Sequence, residues 1–266
     1  DKLFYMIKNL QIEWMKIKNY RVFQVFSVLY MIGIVIIIFI FYKIYTQLTG
    51  RLTGRDGDDL FRLFSEETIW ATVCFSTSFL LYLPGMVIIN LFINEVNFKT
   101  HRQNIIDGWK RETFIYTKIS LIACIAVAVT IMNLVATFIM CNVTNTPFTL
   151  GPGIKMLGFS FMQTFIYLMF ALLLATFFRR SGVAFIVFFI YGLLLEFILM
   201  WLFSNIFPGL QHFLPLQVAD SLIAFPGMDG SIFGNNPGEL IMTIGAVAFA
   251  GLYIFLAVRK YKYDDL

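Results

Sequence analysis

Apolar runs longer than about 18 residues recur along this chain, and each is long enough to cross a hydrocarbon layer of roughly 30 Å. In such a layer every backbone amide and carbonyl must be satisfied within the protein, which leaves closed barrels and helices as spanning structures. A barrel needs ten-residue segments of alternating polarity, and none is present. The expectation is therefore an all-α polytopic membrane protein. Its six spans fall at about Val22–Phe41, Ile69–Phe92, Ile119–Met140, Met156–Phe178, Gly182–Phe203 and Leu240–Val258. Composition agrees: 59% of the 266 residues are hydrophobic and 14% are charged, against about 25% charged in soluble domains. The chain reads as one transmembrane domain over 1–266, with no sizeable soluble part and no removable signal peptide.

Ahead of the first span, Leu3, Ile7, Leu10, Trp14 and Ile17 step by three and four, one stripe of a helix. Lys8, Gln11, Glu13, Lys16 and Lys18 fall mostly elsewhere around it. A basic amphipathic helix over 1–20, lying in the membrane interface, is predicted. A plain extension of the first span is the alternative. The pair Pro84-Gly85 predicts a kink in the second span. Small residues Gly245, Ala246, Ala248, Ala250 and Gly251 prepare the last one for close packing.

Charge orients the spans. With the N-terminus in the cytoplasm, the inner segments hold 15 Lys/Arg and the outer segments hold 5, namely Lys43, Arg51, Arg55, Arg62 and Lys155. That asymmetry predicts both termini inside. It also accounts for the net charge of +4 without any nucleic-acid partner.

The connections differ in kind. Residues 42–68 read as a solvated loop, and 141–153 as a short turn with Pro147 and Pro152. Residues 204–239 are apolar but broken by four prolines, so short helices dipping into the outer leaflet are expected there. Internal repeats are not evident, which counts against inverted-repeat transporters.

Chemistry-bearing motifs are few. No GxxxxGK[ST] sequence occurs, and no CxxC, HExxH or Cys/His cluster suggests a metal. His101 and His212 are assigned to opposite sides of the membrane, so no nucleophile–base pair is suggested. Cys74, Cys124 and Cys141 read as small buried hydrophobes. Asn142-Val143-Thr144 matches a glycosylation sequon by chance. Glu196, in "IYGLLLEFILMW", is the one acid deep in a predicted span. An ionisable group there faces a bundle interior or an aqueous path. It is either a substrate or proton contact, or a group satisfied by a polar neighbour such as Asn90, Asn133 or Gln163.

The most distinctive stretch is the polar segment 94–113, between the second and third spans. Phe98–Ile106 is predicted to form a short helix, stopped by Asp107-Gly108. Phe98, Ile105, Ile106 and Trp109 give it an apolar side that a solvated loop does not need. Docking on a cytoplasmic partner explains that better than topology alone.

Within this segment "EVNFKTHRQNIIDGWKR", Glu95 to Arg111, is similar to a stretch of ABC-2 type ABC transporter permeases. There, an acid is followed by T-x-R-Q-N-x-I-D-G and a closing basic residue. The whole layout resembles that family as well. The resemblance implies a pair of permeases, a second copy or a paralogue, working with two cytoplasmic ATPase subunits that bind ATP and Mg. Glu95, Phe98, Thr100, Arg102, Gln103, Ile105, Asp107, Gly108, Trp109 and Arg111 would form the coupling helix seated on the ATPase. The second and fifth spans would line the path, with Asn90 and Glu196 as candidates. Phe207, Pro208, Phe213 and Pro215 would belong to the outer gate. The resemblance further implies an exporter in a bacterial inner membrane, surrounded by membrane lipid, that is not itself an enzyme. Two other classes stay open: an ATP-independent channel or secondary transporter using Glu196, and a non-transporting membrane anchor for an ATPase.

Overall fold

The computed structural model describes residues 2–52, 63–100, 111–207, 209–223, 225 and 237–263. Among these residues the regular structure is entirely helical. In chain order the helices are α1 Lys2–Lys18, α2 Arg21–Leu52, α3 Ile69–Ser78, α4 Tyr82–Asn97, α5 Arg111–Thr144 and α6 Leu150–Phe178. They continue with α7 Ser181–Ile190, α8 Glu196–Ile206, the four-residue α9 Gln217–Asp220 and α10 Glu239–Tyr263. A π turn, Tyr191–Leu195, joins α7 to α8, and a 3₁₀ turn, Leu210–Phe213, precedes α9. Five helical stretches are long and apolar enough to cross a membrane, or six when α3 and α4 count as one bent span.

α6 is the axis of the bundle. It packs against α3, α4, α5, α7, α9 and α10. Of its apolar window 72% is buried, against 17% for α2. The composition of α6 explains its place. Ser160, Gln163, Thr164 and Thr176 point inward, each 3% exposed or less. Inside a bundle such groups find partners: Asn133 Nδ2 of α5 donates to Ser160 Oγ at 2.7 Å. Against lipid, Ser160 and Gln163 would lose such partners, whereas Thr164 and Thr176 donate to carbonyls of α6 itself. The surrounding helices turn a more uniformly apolar face outward.

Pro84 decides where the second span breaks. Proline has no N–H, and its ring collides with the carbonyl four residues earlier. The helix therefore stops before it: α3 and α4 meet at 42° across residues 79–81, and Pro84 sits in the first turn of α4. Tight turns bridge the gap, with Leu83 N–H bonding Leu80 at 3.0 Å and Leu80 N–H bonding Thr77 at 2.9 Å. The predicted kink is present, displaced to the residues ahead of the proline. Gly85 follows because Phe188 of α7 lies against the backbone; a Cβ there would be 2.5 Å from the ring.

Several expected boundaries shift. α2 continues to Leu52, well into the stretch read as a loop from residue 42. Tyr42 and Tyr45 pack edge-on against Phe64, at 6.0 and 5.2 Å between ring centres, which gives the extension a partner. α6 begins at Leu150, before the predicted start at Met156, so Pro152 lies in its first turn, where proline is tolerated. The turn before it is shorter than expected. Asn145 there takes a left-handed conformation (φ 52°), and Thr146 N–H closes the end of α5 on Cys141 O at 2.9 Å. Of the three cysteines, Cys74 and Cys141 are buried as expected and Cys124 is exposed.

Candidate functional site

Two polar constructions interrupt the apolar bundle, one at each end. The first lies where α1, α4 and α5 meet. Lys118, in the first turns of α5, is 4% exposed and forms ion pairs with both Glu13 of α1 and Glu95 of α4, the latter at 2.7 Å. Lys16 closes the group from the rim, 3.1 Å from Glu13 and 3.8 Å from Glu95. Glu13 is 1% exposed. Burial pushes its carboxyl up, but Lys118 and then Lys16 outweigh that effect and hold it below the ordinary carboxylate value. Two cations and two anions leave the group neutral, the condition under which buried charges are tolerable. Nearby, Asn94 Nδ2 donates to Tyr20 Oη at 2.5 Å, joining α4 to the α1–α2 junction.

This ion group grips both roots of the charged segment. Glu95 ends the second span and Lys118 begins the third, so α1 ties the two flanks together. Beyond Glu95 the chain leaves α4 through Lys99, which is left-handed (φ 56°), while Thr100 Oγ1 donates to Glu95 O at 3.2 Å. Phe98, the expected start of the short helix, forms part of this turn and is 77% exposed, and the rest of that expected helix beyond Thr100 lies outside the described residues. Arg102, Gln103, Ile105, Asp107, Gly108 and Trp109 lie outside the described residues. So does the side chain of Arg111. Glu95 faces Lys118 and Lys16. On the same end, Lys262 of α10 pairs with Glu112 of α5 at 2.7 Å.

The second construction holds the proline-broken segment. Glu196, 3% exposed, stands at the start of α8. Its Oε1 accepts the backbone N–H of Leu216 and of Gln217, both at 2.7 Å. A short helix has unpaired amides at its start, and a carboxylate from another span supplies the acceptor for α9. At the other end of α9, Asp220 accepts Gln163 Nε2 at 2.8 Å and Tyr167 Oη at 2.9 Å, both from the axial helix α6. Tyr253 of α10 donates to Pro215 O at 2.9 Å. Three spans therefore hold four residues of this segment, Pro215, Leu216, Gln217 and Asp220, by hydrogen bonds. Leu216, Val218 and Ala219 are fully buried beneath them.

The partners that Glu196 Oε1 accepts from are thus backbone amides rather than Asn90, Asn133 or Gln163. Asn90 and Glu196 are not brought together. Asn90 lies eight residues down α4 from Tyr82, about 12 Å of helix rise. Tyr82, by contrast, stacks on Phe189 at 5.2 Å and presses on Gly192, one turn from Glu196. Of the residues expected in the broken segment, Phe207 is exposed, Phe213 and Pro215 are half-buried, and Pro208 lies outside the described residues. His212 is fully buried on the 3₁₀ turn.

Glu13, Lys16, Lys118 and Asp220 were not singled out from sequence. Glu13, Lys16 and Lys118 had explanations in amphipathicity and the charge rule. Asp220 carried a signal that could have found it: it is the one charged residue between Leu210 and Phe225. No protein-family model and no curated protein matches this chain.

Proposed function

We propose that the chain is the permease subunit of an ATP-driven exporter of the ABC-2 type. In this reading α1 lies in the cytoplasmic interface of a bacterial inner membrane, with both termini inside. Segment 95–111 seats on a separate ATPase, two of which serve a pair of permeases and bind the ATP and Mg. The observation that carries the reading is the buried ion group of Glu13, Lys118, Glu95 and Lys16. A plain topology loop needs positive charge but no rigid root. Here both flanks of the segment are fixed to each other and to α1, so a displacement of the segment moves α1, α4 and α5 together. That is what transmission from a docked motor requires. At the opposite end, the proline-broken segment held by Glu196, Asp220 and Tyr253 closes the outer side of the bundle. Opening it would exchange those hydrogen bonds for others.

The ATP-independent alternative rested on Glu196 as a substrate or proton contact. Its accepting oxygen already serves two backbone amides in a buried site, which favours the structural role.

The test is the double variant Ile105→Ala/Trp109→Ala, compared with Arg51→Ala/Arg55→Ala. Truncating buried anchors in an interface commonly costs about 2 kcal/mol or more. The first variant should lose ATPase co-purification or uncouple hydrolysis while inserting normally, and the second should do neither. If both behave alike, the segment is a topology signal and the exporter reading fails.

A further inference from the structure

A groove of about 500 Å³ runs along the outside of the bundle between α2, α4 and α5, and its lining is almost wholly apolar. Its floor includes Val87, Leu121 and Val129, each 5% exposed or less, and its open side includes Ala128 and Cys124. Trp14 of α1 and Phe23 of α2 stand at one end, edge to face at 6.2 Å. Leu121 to Met132, the stretch of α5 along the groove, rises about 16 Å, close to the hydrocarbon depth of one leaflet at about 15 Å. All three long walls belong to stretches apolar enough to span a membrane. Between Trp14 and Phe23 the chain carries Lys16 and then exposed Lys18 and Arg21, a basic turn at the groove's end.

We propose that this groove is a binding site for one acyl chain of an anionic phospholipid in the leaflet on the α1 side. The phosphate is held at the Lys18–Arg21 turn. A uniformly apolar trough one leaflet deep matches a hydrocarbon tail, and cations near the interface attract anionic headgroups. An unbranched chain can follow a concave wall that a flat lipid-facing helix surface does not offer. The site is independent of whether the protein exports anything.

The test uses the full chain in nanodiscs of phosphatidylcholine containing a trace of phosphatidylglycerol with a mid-chain diazirine. After photolysis, the labelled peptides are identified by mass spectrometry. Labelling of residues 121–132 should exceed that around Ile186, an exposed apolar position on α7, several-fold. Unlabelled phosphatidylglycerol should compete. Ala128→Trp, and the milder Ala128→Leu to a lesser degree, should remove the excess, whereas Ile186→Trp should not. A phosphatidylcholine photoprobe, or the Lys18→Ala/Arg21→Ala variant, should lose several-fold in labelling. Equal labelling of both faces, insensitive to Ala128, would mean ordinary boundary lipid and overturn the proposal. Efficient Cys124–Cys124 cross-linking between two copies would overturn it too, by showing that protein covers the groove. Labelling indifferent to headgroup and to the basic turn would refute the anionic specificity.

Discussion

Lys118→Met isolates the ion group at the root of the charged segment. The lysine is 4% exposed and contacts two carboxylates, of which Glu13 is 1% and Glu95 13% exposed. At 2.7 Å and an effective dielectric of 20, one such contact is worth about 6 kcal/mol before desolvation. Removing one member of a buried pair commonly costs about 3–5 kcal/mol, because the remaining charge is left uncompensated. Met keeps most of the aliphatic stem, so packing loss is minor. The substitution changes the group from neutral to a single net negative charge, and we expect about 3 kcal/mol, the partial exposure of Glu95 softening the effect. Adding Glu13→Gln restores neutrality, so Lys118→Met/Glu13→Gln should be more stable than Lys118→Met alone by at least about 1 kcal/mol. Lys16→Met should cost less than about 1 kcal/mol, since its side chain is 38% exposed. Equilibrium unfolding in mixed micelles, followed by tryptophan fluorescence, compares wild type with Lys118→Met, Glu13→Gln, their double variant and Lys16→Met. If the losses from Lys118→Met and Glu13→Gln simply add, the side chains do not act as one electrostatic unit and the rigid-root argument falls.

The same group sets a pH dependence. Glu13 has its carboxyl held below the ordinary value of 4.5, so its contribution is complete above that value and is lost as pH falls through the lowered one. The stability gap between wild type and Glu13→Gln should therefore be constant from pH 8 to about 5.5 and shrink only below 4.5. Glu196→Gln keeps an acceptor for Leu216 and Gln217 and should cost about 1–2 kcal/mol; Glu196→Leu strands both amides and should cost about 2–4 kcal/mol, with faster proteolysis near residue 216 as the readout. Gly85→Ala drives a methyl group into the Phe188 ring and should lower thermal stability by about 1–3 kcal/mol, with partial recovery in Gly85→Ala/Phe188→Leu. Cysteines introduced at Thr53 and Asn235 should label in intact cells, and one at Thr100 only after permeabilisation; labelling of Thr100 from outside would reverse the proposed orientation.

Much of the architecture is legible without coordinates. A spanning helix satisfies its own backbone, so a long apolar run declares itself locally: five of the runs from Val22 to Val258 fall on helices long and apolar enough to cross a membrane, and the run at Ile69–Phe92 falls on the bent pair α3 and α4. Pro84 likewise acts on its own helix, and the four prolines between residues 204 and 239 already exclude a further straight span. Partnership is a different matter. The charge of Lys118 reads equally as a topology signal or as the centre of an ion group. Only packing brings residues 13, 95 and 118 together. Glu196 announces that it needs a partner, since a buried carboxylate must be satisfied, but backbone amides twenty residues away have no side-chain signature. The axial place of α6 is set in the same way: its polar residues permit burial, and the arrangement of α3, α4, α5, α7, α9 and α10 around it provides that burial. Local hydrogen bonding and apolar length determined which segments are helices. The pairing of buried polar groups across distant segments, which depends on three-dimensional proximity, decided what those helices hold in place.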